Sequence, residues 1–170
     1  MPSSRLAVAG VAAAMVVAVQ PGAAQAVLGP DAAACRNGSR QAAVLVNVHG
    51  FREQRGNLRV QLYNDDADEF LAPGRYLRRI DLPVSRAAMP VCVALPRPGR
   101  YAVAVRHDED GDGRTSWSDG GGFSRNPHLS LAAPRPSHSD VAIGVGRGTQ
   151  RVDVVLNYRF GLVIRPVAGR

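Results

Sequence analysis

AVLVNVHGFREQRGNLRVQLY, residues 43–63, decides the reading of the fold. Val44, Val46 and Val48 alternate with Leu45, Asn47 and His49, and Leu58, Val60 and Leu62 then alternate with Arg59, Gln61 and Tyr63. A period of two places successive side chains on opposite faces of an extended chain, so each run reads as a strand with one apolar face. The second has a clearly wet reverse side. Gly50 to Gly56 lies between them and reads as the loop of a hairpin that pairs the two.

The same signature continues outward. Val91 to Leu95, Tyr101 to His107, Val141 to Val145 and Val152 to Tyr158 are short apolar runs bounded by Gly, Pro or Asn, with a weaker run at Tyr76 to Val84. Pro96 to Arg100 is a turn between two of them. About seven short strands with regular turn signals predict an all-β antiparallel sandwich, immunoglobulin-like or transthyretin-like. One helical turn is expected at Asp65 to Ala72, capped by Asn64 or Asp65 and burying Phe70 and Leu71. The end of the chain, residues 159–170, is an apolar but interrupted tail that either extends the last strand or frays.

The opposite end sets the compartment. Arg5 precedes an apolar run from Leu6 to Val19, and Ala24-Gln25-Ala26 offers the small residues of a cleavage site. The run is shorter than the roughly 20 residues that span a bilayer. Residues 1–26 therefore read as a cleaved signal peptide, with a periplasmic or extracellular product. Nothing after residue 26 is long and apolar enough for a transmembrane segment in the mature chain. Residues 27–41 read as an extended lead-in, and residues 42–158 as one sandwich domain. In an oxidising compartment the only two cysteines, Cys35 and Cys92, are expected to pair. By chain entropy that link contributes roughly 4 kcal/mol.

The formal charge is +7, with 21 basic residues, every one of them arginine. They are scattered, and only 5% of residues are aromatic, so the clusters with interleaved aromatics that bind nucleic acid are missing. The excess positive charge suits an anionic cell surface better.

One segment carries chemistry: HDEDGDGRTSWSDGGGFS, His107 to Ser124. Asp108, Asp110 and Asp112 recur at every second residue, Gly113 follows, and Asp119 stands at the twelfth position of a loop beginning at Asp108. That is the layout of a calcium loop, with carboxylates at positions 1, 3 and 5, a turn glycine at 6, a carbonyl at 7 and an acid at 12. The Arg114 carbonyl and Ser116, placing a water, complete the set. Calcium suits it as a hard cation that takes six to eight oxygens; with aspartate at position 12, Thr115 at position 8 and Arg106 and Arg114 nearby, the expected affinity is about 10⁻⁴ to 10⁻³ M. The same residues also suit a solvated aspartate and glycine turn, and both readings stand. The acidic group Asp65, Asp66, Asp68 and Glu69 reads as a solvated turn. Trp117, the only tryptophan, and Phe123 are the aromatic candidates for meeting a partner.

The ordered motifs GxLRVxLY (Gly56 to Tyr63), PGxYAVAVxHDEDGDG (Pro98 to Gly113) and GFSRNP (Gly122 to Pro127) resemble the secreted bacterial proteins grouped as domain of unknown function 2141. The resemblance covers about residues 42–158 and implies a transthyretin-like or immunoglobulin-like sandwich in the bacterial envelope, without an assigned activity. The family's HDxNxNG stretch falls on His107 to Gly113, which carries over Asp108, Asp110 and Asp112. The family's glycine, proline and glutamate segment before GFSNN is missing here, and Arg125 replaces the first asparagine.

HExxH and GxSxG are absent, and both cysteines are expected to be bonded. A trio of His107, Asp108 and Ser124 is the one hydrolytic arrangement to test against geometry. The expected function is thus a non-catalytic envelope module, calcium-stabilised, that binds a protein or glycan through its loops. A structural subunit of an envelope assembly is the alternative.

Overall fold

The computed structural model describes residues 25–167. The expected signal peptide lies, apart from its last two residues, outside the described residues. The chain forms β1 (Ala43–His49), β2 (Asn57–Tyr63), β3 (Arg78–Pro83), β4 (Ala88–Ala94), β5 (Gly99–Asp108), β6 (Gly120–Phe123), β7 (Ile143–Val145), β8 (Thr149–Val155), β9 (Asn157–Phe160) and β10 (Val163–Pro166). A short helix α1 (His138–Val141) precedes β7. The smaller sheet has the order β4-β1-β8; the larger runs β10-β9-β6-β5-β2-β3, with β7 paired to the start of β5. The fold is an all-β sandwich, and its pairings are antiparallel except for β1 with β8.

The core lies between the sheets. Val44, Val46 and Val48 of β1 face Leu58, Val60 and Leu62 of β2 across it, joined by Val91, Val103, Val105 and Val154. Each fully buried aliphatic side chain contributes roughly 1.5–3 kcal/mol, so the period-two pattern fixes which face of each strand turns inward.

It does not fix the partner. The hairpin expected at Gly50–Gly56 does not form: β1 pairs with β4 and β8, β2 with β3 and β5, and the segment crosses from one sheet to the other. Seven residues are ample for the roughly 10 Å between packed sheets. Phe51 packs against the core on the way. The Pro96 turn likewise joins strands of different sheets. The run expected as one strand at Val152–Tyr158 is two. Val152, Val154, Leu156 and Tyr158 all face the core, but the chain changes sheets at Leu156, whose N–H donates to the His49 carbonyl.

Other expectations change locally. Asp65–Ala72 forms turns, not a helix: the Asp66 carboxylate captures the Asp68 N–H, and Leu71 adopts φ +60°. Phe70 and Leu71 still pack against the outer face of the larger sheet. Val141 ends α1, which Ser137 and Asp140 start as a reciprocal capping box, so β7 begins later than the apolar run. The tail folds back as a hairpin, β10 on β9, turning at Gly161. The lead-in is not uniformly extended, because Ala32–Cys35 makes a 3₁₀ turn. Cys35 and Cys92 are bonded, with a Cα separation of 5.9 Å. Together with Ala34, Ala43 and Leu45 they cover the outer face of the smaller sheet. Among the described residues no helix is long and apolar enough to cross a membrane.

Candidate functional site

The acidic loop leaves the end of β5 and returns as β6. Asp108 is 2% exposed, while Asp110 and Asp112 face solvent. One carboxylate oxygen from each lies within 4.8 Å of the others. Local bonds hold the turn: Gly113 N–H donates to Asp108 Oδ2 (3.0 Å), Arg114 N–H to Asp112 Oδ1 (2.7 Å) and Asp112 N–H to Asp110 Oδ1 (3.2 Å). Gly113 has φ +76°, the conformation that position 6 of a calcium loop demands. Asp108 Oδ1 is buried without a hydrogen-bond partner. A buried, unpaired carboxylate oxygen is costly unless a cation or donor reaches it.

The twelve-residue ligand set is only partly assembled. Asp119 is not among the converging carboxylates. Its oxygens accept from Ser116 N–H (3.1 Å) and Ser116 Oγ (3.0 Å), so Ser116 is engaged as well. Between the two acidic ends sits Arg106, one of the two opposing charges expected near the loop. The Arg106 guanidinium donates to the Gly113 carbonyl (3.1 Å) and Thr115 Oγ1 (2.9 Å), 3.6 Å from Asp108 and 3.9 Å from Asp119. It supplies internal positive charge to the loop and opposes a bound cation there, which favours weak affinity.

A group missed from sequence anchors the base of the loop. Glu109, 6% exposed, accepts from Arg55 (2.9 Å) and Arg52 (Nε, 2.7 Å), both on the β1–β2 crossover. Arg52 also donates to the Ser118 carbonyl (2.7 Å), bridging crossover and loop. Burial pushes the Glu109 carboxyl upward, but the hydrogen bonds and charges of Arg55 and Arg52 outweigh it and hold the group below its ordinary value. Gly56 makes the approach possible: a Cβ there would lie 2.1 Å from the Asp108 carbonyl oxygen. Beneath, buried His107 meets Tyr158 Oη (2.6 Å) and the Arg55 carbonyl (2.8 Å) through its two ring nitrogens. Burial pushes the Tyr158 phenol up to about 12.

That placement removes the hydrolytic trio. Ser124 Oγ donates to the Val141 carbonyl (2.6 Å) and accepts from Val103 N–H (3.0 Å), while both ring nitrogens of His107 are taken. The three side chains form no relay.

Beside the loop, the outer face of the larger sheet holds a cleft of about 560 Å³. Trp117, 70% exposed, stands on its wall with the Arg159 guanidinium 4.5 Å over the indole. Phe123, the other aromatic candidate, is buried and lines the cleft beside Phe70. Loop, tryptophan and cleft form one continuous surface at this end of the sandwich.

Residues 46–153 match the family described as "Uncharacterized protein conserved in bacteria (DUF2141)". The chain belongs to the DUF2141 family. The match takes in the acidic loop, the β1–β2 crossover and β6, and leaves Cys35, Tyr158 and Arg159 outside it. No curated protein matches this DUF2141 chain, and no solved structure does.

Proposed function

We propose that the protein is a non-catalytic module of the bacterial envelope, exported to the periplasm or beyond, whose loops bind an envelope protein or a glycan and are stiffened by calcium. Two observations carry the calcium reading: Asp108, Asp110 and Asp112 converge, and Asp108 has a buried carboxylate oxygen without a hydrogen-bond partner. Hard oxygen ligands without nitrogen or sulfur favour calcium over zinc, copper or iron, and an irregular turn suits calcium better than the strict octahedron of magnesium. Bound there, the ion would cross-link the turn that leads directly to Trp117. The Cys35–Cys92 bond supports export, since such bonds persist in oxidising compartments.

Trp117 lies inside the loop and is the only tryptophan, so its emission reports on the site. Calcium titration should change that emission saturably with a dissociation constant of about 10⁻⁴ to 10⁻³ M, and Asp110→Asn should abolish the change. A flat titration refutes calcium binding.

The structural-subunit reading has its own support. Leu162 and Val163 at the β9–β10 turn are exposed, and β10 is the edge strand of the larger sheet. A concentration-dependent oligomer lost on Leu162→Asp would favour it.

A further inference from the structure

We infer that the cleft on the outer face of the larger sheet binds a fatty-acid anion, its chain laid across the strands and its carboxylate held by the rim arginines Arg135 and Arg159. The inference is independent of calcium.

Three observations point there. The first is the floor. β5 and β6 are inner strands of the larger sheet, yet they present Ala104 and Gly121 to the cleft, bordered by Phe123, Leu129, Leu71 and Ile164. Apolar walls around a space of about 560 Å³ have the character and size of small-molecule clefts.

The second is Gly121. Its neighbours Gly120 and Gly122 point inward, where a Cβ would lie 2.5 Å from the Tyr158 ring and 2.6 Å from Val154. Packing therefore accounts for both. A Cβ on Gly121 would meet nothing within 4 Å, so no neighbour requires glycine there. What its missing side chain does is keep the floor of the cleft open. Close approach of a ligand to the backbone is one of the uses of a strand glycine.

The third is charge. Arg106, Arg135 and Arg159 line the cleft against a single acid, Asp119, which is already held by Ser116 and faces Arg106. Arg135 is exposed and makes no ion pair among the described residues, and the Nε of Arg106 is buried without a partner. An apolar trough with unmatched guanidinium charge is complementary to an amphiphile with an anionic head. A neutral sugar would leave that charge unmatched, and a cationic ligand would be repelled.

The test uses the purified protein in EDTA, so that failure of calcium binding does not affect it, and reads Trp117 emission. Dodecanoate below its micelle concentration should give a saturable shift. Dodecanol, of equal chain length without charge, should bind at least about tenfold more weakly, since a single charge-assisted bond is already worth that ratio. Dodecyltrimethylammonium should not bind. Gly121→Leu should fill the floor and cost at least about tenfold in dodecanoate affinity with the melting temperature unchanged. Should that variant fold poorly, Arg135→Glu, at an exposed position, should weaken dodecanoate and leave dodecanol alone. Equal binding of all three amphiphiles, undiminished binding by Arg135→Glu, or a response to polygalacturonate but not dodecanoate would overturn the assignment.

Discussion

Tyr158→Phe isolates the polar core beneath the acidic loop, because it removes one oxygen and keeps the ring that packs under Gly120. The phenol oxygen accepts from Arg52 N–H at 3.1 Å and shares a 2.6 Å hydrogen bond with His107 Nδ1, in a site where His107 is fully buried and Tyr158 nearly so. Its loss orphans a histidine nitrogen that water does not reach, at about 1–3 kcal/mol, and a less buried backbone donor at about 1 kcal/mol. The sum, about 2–4 kcal/mol, is a large part of the roughly 5–15 kcal/mol that holds a domain together. At about 2–4 °C per kcal/mol for a chain of this size, melting followed by circular dichroism should fall by about 5–15 °C. A second signature is specific to the phenol. Since its folded value is raised to about 12 from 10.0, it contributes stability that is lost as pH rises between those values. The phenylalanine variant should lack that component of the alkaline loss. A double-mutant cycle with His107→Gln should show coupling of at least about 0.5 kcal/mol. A melting temperature within about 2 °C of wild type, or full additivity with His107→Gln, would refute the view that this hydrogen bond ties β5 to β9.

Two further predictions concern the ties at either side of the core. Reducing the Cys35–Cys92 bond, or replacing both cysteines by serine, should lower stability by roughly 4 kcal/mol in denaturant titration, and a loss below about 1 kcal/mol would mean that the lead-in holds its place without it. Glu109, depressed below the ordinary 4.5, contributes stability that is present above that value and is lost as pH falls through its folded value. Glu109→Gln should therefore destabilise at neutral pH and flatten the acid side of the stability profile; an unchanged acid limb contradicts the ion-pair assignment.

Much of the fold was legible because burial imposes a period on each strand, whatever its partner. Val44, Val46 and Val48 had to share a face, and so did Leu58, Val60 and Leu62. Which strands pair depends on where the chain crosses the core, and that information is not local. Gly50–Gly56 has the length of a hairpin loop and of a sheet crossing alike, and Leu156 sits in an unbroken apolar alternation while the backbone changes sheets. β6 was hidden for another reason: Gly120, Gly121 and Gly122 carry no side chains to alternate, and the packing that requires two of them, Tyr158 against Gly120 and Val154 against Gly122, comes from distant strands. Within the site, the spacing of Asp108, Asp110 and Asp112 was legible because a short turn brings alternate residues together. The opposing charge of Arg106 was legible from its place just before the loop, but its bonds to Gly113 and Thr115 were not, since they depend on how the loop folds back. Nor was the Arg52–Glu109–Arg55 cluster, in which Glu109 lies more than fifty residues from both arginines.

The most direct test of the calcium-stiffened module is thermal unfolding with and without calcium, wild type beside Asp110→Ala. With a dissociation constant of 10⁻⁴ to 10⁻³ M, about 10 mM calcium should add about 1.4–2.7 kcal/mol, a rise of about 3–10 °C. The Asp110→Ala protein should show little of that rise. No rise in the wild type, or the same rise in both proteins, contradicts a calcium site at Asp108, Asp110 and Asp112.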